Sequence, residues 1–150
     1  MPEASKVLPP SYFFGAVVIL LLVHFFFPLA AWLVAPWTYV SVVPLLLGAV
    51  LVLQPARVFE MRNTTIKPFQ ESTTLVTDGF FRISRNPMYL GMVLLLAGLA
   101  VFFGTASAAV VPAVFMWVVT RRFILAEEAA LLRTFGSEYE DYRRRVRRWI

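Results

Sequence analysis

Two short polar clusters contain the residues whose types and spacing could do chemistry. The first is the segment 85–89, Arg-Asn-Pro-Met-Tyr, and the second is the acidic pair at 127–128. Proline is favoured at the first position of a helix, so Asn86 is a plausible N-cap, and the first-turn amides could bind an anionic group. The paired carboxylates could hold ribose hydroxyls or balance a cationic ligand. Structural interpretations also stand, in which Arg85 snorkels at a helix start and the acids cap the next helix.

Other familiar catalytic arrangements are missing from the sequence. The chain has no cysteine, which excludes disulfides, thiol nucleophiles and cysteine-ligated metal. His24 is the single histidine, so a histidine metal site and a Ser-His-Asp mechanism at the charged face are excluded. As an ionisable residue within an apolar run, His24 is either functional or a helix-packing residue, and packing is favoured. We therefore expect no metal, and no nucleic-acid partner.

The elements that position these clusters follow from the charge pattern. Hydrophobic residues make up 59% and charged residues 15% of the chain, and residues 7–54 and 86–120 contain no Lys, Arg, Asp or Glu. A spanning helix needs about 20 apolar residues, so each gap can hold a helical hairpin. The sequence thus predicts a single all-α integral membrane domain over residues 1–150 with four transmembrane helices. Their limits are about 12–34, 39–53, 87–103 and 106–123, with a kink at Pro44.

Two further segments are expected at one membrane face. A cytoplasmic loop over 55–85 connects the two hairpins, and a C-terminal amphipathic helix covers 127–148, where Leu131, Phe135, Tyr139 and Tyr142 recur at helical spacing. All basic residues lie in the start, the loop and the C-terminal segment, so the positive-inside rule places both termini in the cytoplasm. We expect a retained first helix and not a cleaved signal peptide, a bacterial-type inner membrane, and contact with anionic membrane lipids.

The two clusters together resemble a known family. Arg-Asn-Pro-Met-Tyr-Leu-Gly, a long apolar stretch and then Glu-Glu-x-x-Leu-x-x-x-Phe-Gly-x-x-Tyr-x-x-Tyr are similar to the isoprenylcysteine carboxyl methyltransferase and phospholipid methyltransferase families. The resemblance covers residues 64–150. It implies an enzyme that methylates a lipophilic or lipidated, membrane-embedded acceptor with S-adenosyl-L-methionine at the cytoplasmic mouth of the helices. The sequence does not specify the acceptor, or the oligomeric state.

The resemblance also implies site residues. The cofactor-binding positions correspond here to Thr73, Thr74, Leu75, Val76, Phe81, Asn86, Pro87, Met88, Tyr89 and Glu127. Asn86 stands where the family's motif has histidine. Arg85, Glu127 and Glu128 are the catalytic candidates: Glu127 would hold ribose hydroxyls and Arg85 would pair with the methionyl carboxylate. A sulfonium donor is already activated, so positioning supplies most of the rate effect and no acid–base residue is required.

One departure concerns the acceptor. The carboxyl methyltransferases have an arginine four residues before the cofactor-binding glutamate, and here that position is Phe123. Arg121 and Arg122 are the substrate-binding candidates, but one residue on a helix is a rotation of about 100°. This argues against an isoprenylcysteine carboxylate and leaves phospholipid amines or another lipophilic acceptor open. Two other interpretations remain: an NADPH-dependent membrane reductase of the sterol reductase type, and a non-enzymatic scaffold that binds lipid through its basic tail.

Overall fold

Six α-helices make up most of the computed structural model, which describes residues 8–61 and 74–150. They are α1 (Pro9–Phe26), α2 (Val42–Met61), α3 (Pro87–Phe103), α4 (Ala106–Val119), α5 (Leu125–Phe135) and α6 (Ser137–Arg145). Short 3-10 helices at Trp37–Ser41 and Gly79–Arg82 precede α2 and α3, and a π-helical turn at Thr120–Ile124 joins α4 to α5. The regular secondary structure of the described part of the chain is helical, apart from one isolated bridge between Ala31 and Thr105.

The first helix is shorter than predicted. It ends at Phe26, not near residue 34. Pro28 explains the difference, because proline disfavours helical backbone at the residue before it, and Phe27 has left the helix with φ −134° and ψ 57°. The chain that follows lies against the turn between α3 and α4, where the Trp32 amide donates to the Gly104 carbonyl at 2.9 Å.

The second helix also differs from its predicted limits. It begins at Val42 and continues to Met61, so it takes in the start of the predicted loop over 55–85. Pro44 lies in the first turn of α2, where a missing amide costs no intrahelical hydrogen bond, and the proline inside the helix is Pro55. The kink at Pro44 stays a prediction.

Helix α3 is the centre of the bundle and packs against α1, α2 and α4. It approaches α2 closely because two glycines face each other: a Cβ on Gly48 would lie 2.7 Å from the Gly91 carbonyl oxygen. Farther along α3, Gly98 faces Leu45. Small residues permit this backbone approach between apolar helices. The contact fixes the start of α3, which carries the first polar cluster.

The outer helix faces are apolar. Phe14 and Phe25 on α1, Leu46 on α2 and Trp117 on α4 are all more than half exposed. Among the described residues, the stretches Pro9–Phe26, Trp37–Arg57 and Ala106–Phe135 are long and apolar enough to cross a membrane. Helix α3 is apolar but shorter, at 17 residues.

The stretch predicted as one helix over 127–148 forms two. Helix α5 ends at Gly136, whose φ of 51° and ψ of −121° cannot continue a helix, and α6 follows. Tyr139, Tyr142 and Val146 are buried against Leu75, Phe81, Leu131, Leu132 and Phe135. The apolar face of α6 therefore packs against the protein itself, which leaves its arginines on the outside. Residues 146–150 follow α6, and the backbone of Val146 is extended.

Candidate functional site

A hydrogen bond joins the two polar clusters. Tyr89 lies in the first turn of α3, and its hydroxyl donates to Oε1 of Glu127 in the first turn of α5 at 2.8 Å. Tyr89 is buried, and its ring stacks on Phe123 with a centroid distance of 6.4 Å. The helix start and the acidic pair, which are far apart in sequence, thus meet at one end of the bundle.

The two adjacent glutamates have different partners because successive helical residues point about 100° apart. Glu127 faces Tyr89, whereas Glu128 faces two arginines. Arg148 donates to both carboxylate oxygens of Glu128, from Nε to Oε1 at 3.0 Å and from Nη2 to Oε2 at 2.7 Å. Arg85 reaches only Oε1, from Nη2 at 3.3 Å. This bidentate geometry makes the pair with Arg148 the stronger one.

Arg85 is held in a largely buried position. Its side chain is 12% exposed, its Nη1 donates to the Tyr139 hydroxyl at 3.4 Å, and its Nε is buried with no hydrogen-bond partner. Burial raises the pKa of Tyr139, as does the negative charge of Glu128, so this hydroxyl stays protonated and accepts from Arg85. Arg85 therefore keeps one N–H donor that no group in the described part of the chain uses.

Asn86 occupies the N-cap position of α3, but its side chain does not cap the helix. Its Nδ2 donates instead to the carbonyl of Arg148 at 3.1 Å. The neighbouring Ser84 hydroxyl donates to the same carbonyl at 3.3 Å, and the Arg85 amide donates to the Arg147 carbonyl at 3.0 Å. Residues 146–150 thus form a strap, named here the C-terminal strap, across the start of α3. Asn86 is thus the N-cap residue that the sequence predicted, and its carbonyl accepts from the Leu90 amide at 3.0 Å, whereas its side chain binds the C-terminal strap.

Some of the other residues predicted to bind the cofactor lie around the two polar clusters. Pro87 is buried at the first position of α3 and Met88 is half-buried. Val76 is buried, Leu75 and Phe81 are half-buried against α6, and Thr74 is exposed. The Phe81 carbonyl accepts a hydrogen bond from Tyr142 at 2.7 Å. A cavity of about 50 Å³ lies beside Phe80 and Phe81, next to Gln54 and Pro55 of α2. Thr73 falls outside the described residues.

The two predicted substrate-binding arginines lie apart from the cluster. Arg121 and Arg122 are exposed in the π-helical turn, while Phe123 is fully buried. Phe123 contacts Tyr12 edge-to-face at 5.1 Å in addition to Tyr89. The inward position before Glu127 is therefore apolar, and the described chain shows no hydrogen bond or ion pair from either arginine to the glutamates.

Three contributors to the site were missed from the sequence: Arg148, Tyr139 and the backbone of the C-terminal strap. Arg148 belongs to a dense run of arginines, and nothing in that run distinguishes the one that turns inward. Tyr139 and Tyr142 were identified only by their helical spacing, which indicated a buried face. The signal that could have identified these tyrosines as part of the site is their place in the motif, one helical turn apart after Gly136.

Comparison with known proteins decides the family. The model of the phospholipid methyltransferase family matches residues 36–138, which is more than half of the chain. The chain belongs to this family. The match covers α2 to the start of α6 and therefore both polar clusters, and the resemblance inferred from the motif is confirmed.

Two relatives within the wider family support this assignment. The chain is 33% identical over 72 residues to the protein-S-isoprenylcysteine O-methyltransferase of Schizosaccharomyces pombe, covering 48% of this chain and 30% of that protein. It is 36% identical over 76 residues to the enzyme of the same name from Mus musculus, covering 51% and 27%. The chain thus matches less than a third of the length of these two relatives.

A solved structure shares the fold. The eukaryotic intramembrane Ras methyltransferase, an isoprenylcysteine carboxyl methyltransferase, superimposes with a TM-score of 0.70 at 24% identity, over 94% of this chain and 51% of that one. This family member is accordingly an all-helical integral membrane protein, as its apolar helix faces also indicate.

Proposed function

We propose that this protein transfers a methyl group from S-adenosyl-L-methionine to a lipophilic acceptor within the membrane. The observation that carries the proposal is the 2.8 Å hydrogen bond between Tyr89 and Glu127. It brings the two halves of a methyltransferase motif into contact at the end of the bundle where Arg85 and Glu128 also lie. Family membership supports the same activity.

Glu127 is proposed to hold the ribose hydroxyls of the cofactor. One carboxylate oxygen accepts from Tyr89, and in the described part of the chain no donor is assigned to Oε2. Tyr89 fixes the orientation of the carboxylate, so Oε2 points in a defined direction and is available to accept from a diol. A carboxylate held in this way needs little reorganisation on binding.

Arg85 is proposed to pair with the methionyl carboxylate. Its buried, unpartnered Nε is a donor that an anionic group would satisfy, and an unpaired buried N–H is otherwise costly. Bound S-adenosylmethionine supplies an electrophilic methyl group on a sulfonium sulfur. The residues of this chain need only orient it toward the acceptor and exclude water.

The membrane arrangement proposed for this activity counts α3 as a fourth span. Helices α1 and α2 then cross the bilayer in succession, with α1 packed mainly on α4 and α2 on α3, α3 and α4 cross it as a packed hairpin, and α5 with α6 lies at the cytoplasmic surface. The basic residues at that end support this orientation through the positive-inside rule, which puts both termini on the cytoplasmic side of a bacterial-type inner membrane. The acceptor would enter sideways from the bilayer, since the cluster lies at the mouth of the helices.

The acceptor is proposed to be a phospholipid amine or another lipophilic nucleophile without a carboxylate. Phe123 fills the inward position before Glu127, so no cation is available there to pair with an isoprenylcysteine carboxylate. Arg121 and Arg122 remain substrate-contact candidates at the surface. If they bind an anionic headgroup, Arg121→Gln with Arg122→Gln raises KM for the acceptor and leaves the melting temperature unchanged.

The activity is tested by methyl transfer to lipid. Purified protein is incubated with labelled S-adenosylmethionine and a membrane lipid extract, and the organic phase is analysed for labelled product. We expect label in a lipid product with the wild type and with Glu138→Gln, an exposed matched control, and loss of label with Glu127→Gln. Equal labelling by Glu127→Gln in a folded sample would refute the role of Glu127. NADPH consumption without labelling would indicate a reductase.

A further inference from the structure

The charge balance around Glu128 assigns a function to Arg148. Two arginines share one carboxylate: Arg148 through two hydrogen bonds at 3.0 and 2.7 Å, and Arg85 through one oxygen at 3.3 Å. Glu128 and its two arginines together carry a net charge of one positive unit, because the pair of Glu128 with Arg148 is neutral by itself. This positive charge resides mainly on Arg85, which contacts the Glu128 carboxylate less closely than Arg148 does and has a buried Nε without a partner.

We propose that Arg148 is a positioning residue that neutralises Glu128 and thereby leaves the Arg85 guanidinium free to bind the carboxylate of the cofactor. The inference rests on the proposed function and names how the same site is tuned. If Glu128 faced Arg85 alone, the two would form a neutral, largely buried pair. An anionic ligand group would then have to compete with Glu128 for the same donors.

The fold holds Arg148 at this point independently of its own side chain. The carbonyl of Arg148 accepts hydrogen bonds from Asn86 and Ser84, the carbonyl of Arg147 accepts from the Arg85 amide, and Trp149 packs against the core of the bundle. The C-terminal strap is thus anchored by its backbone on both sides of the guanidinium. Removal of the Arg148 side chain changes the charge of the cluster while these anchors remain.

This role gives a reason for the position of the C-terminal strap, which the motif alone does not explain. The strap lies against the residue before the helix start, Asn86, and brings a second cation to an acid that already has one nearby. A second arginine contributes little if Glu128 serves only as a structural partner of Arg85. It matters if Arg85 must keep its charge for a ligand.

Four variants separate the charge effect from loss of structure. Arg148→Ala leaves a neutral pair, Glu128→Gln leaves two positive charges, and the double variant Arg148→Ala/Glu128→Gln returns the cluster to the wild-type net charge. The fourth, Arg144→Ala, is the control, because Arg144 is 74% exposed and pairs with Asp141 at the surface. All are measured by calorimetry in detergent with two probes: S-adenosylhomocysteine, which carries the methionyl carboxylate, and 5′-methylthioadenosine, which lacks it.

We expect Arg148→Ala to weaken S-adenosylhomocysteine binding by about tenfold or more, the effect of one hydrogen bond to a charged group. Binding of 5′-methylthioadenosine should not change, and the double variant should regain wild-type affinity for S-adenosylhomocysteine. Arg148→Lys, which keeps the charge but not the bidentate geometry, should be intermediate and provides a second variant if Arg148→Ala fails to fold.

Three results would overturn the proposal while the function stands: unchanged S-adenosylhomocysteine affinity in Arg148→Ala, parallel weakening of both probes, or failure of the double variant to recover. Parallel weakening would mean that Arg148 only holds the strap in place. A wild type that binds neither probe would refute the proposed function itself, so the two failures are distinguishable.

Discussion

Replacement of Tyr89 by phenylalanine tests the contact between the two halves of the site. The change removes the hydroxyl that donates to Glu127 at 2.8 Å and keeps the ring that stacks on Phe123. A hydrogen bond to a charged group contributes about 1.5–3 kcal/mol, and its loss leaves the carboxylate without its donor. We expect the free energy of unfolding to fall by about that amount. Because Glu127 also loses its fixed orientation, S-adenosylhomocysteine affinity should fall by roughly tenfold.

The matched control is Tyr12→Phe. Tyr12 also packs edge-to-face against Phe123, at 5.1 Å, and in the described residues its hydroxyl has no hydrogen bond. Its loss should change the unfolding free energy by less than about 0.5 kcal/mol and leave affinity unchanged. Thermal unfolding in detergent and calorimetry with S-adenosylhomocysteine measure the two effects. Wild-type stability and affinity in Tyr89→Phe would refute the reasoning that this bond organises the site.

Three further substitutions test the scaffold by thermal unfolding. Gly91→Ala places a Cβ 2.7 Å from the Gly48 carbonyl and should cost about 1–3 kcal/mol, whereas Gly15→Ala, with nothing within 4 Å, should not destabilise; equal melting temperatures would contradict the close contact. At Gly136 an added Cβ has free space, so the only cost of Gly136→Ala is the positive φ of 51°, and the variant should lose about 1–3 kcal/mol of stability. An unchanged melting temperature would show that α5 and α6 can be joined through a different backbone conformation. Phe123→Arg puts a charge at a fully buried position and should cost at least about 3 kcal/mol of stability. A stable variant would show that this position can hold a cation, and would contradict the argument against a carboxylate acceptor.

The sequence predicted the ends of α3 well because its boundary residues act locally. Pro87 favours the first helical position, and Gly104 adopts the left-handed conformation that ends the helix, with φ 66°. The contact between the clusters was also foreseeable, since α3 and α4 form a hairpin that returns the chain to the same end of the bundle. Two signals of the same local kind were overlooked: Pro28, which ends α1, and Gly136, which divides the C-terminal helix.

The charges at the site were less predictable because they depend on tertiary packing. Arg148 turns inward only because residues after α6 run back across the start of α3, and no local pattern encodes that path. The Asn86 side chain likewise binds the C-terminal strap and does not cap its own helix. Successive helical residues point about 100° apart, but that geometry alone does not identify the second arginine that pairs with Glu128.

Calorimetry of the wild type with S-adenosylhomocysteine and with NADPH tests the central claim most directly. A methyltransferase of this family should bind S-adenosylhomocysteine saturably at one site per chain, with no binding of NADPH. The affinity should fall in Glu127→Gln and persist in Glu138→Gln. Saturable binding of NADPH, or no heat with S-adenosylhomocysteine in a folded sample, would contradict the account.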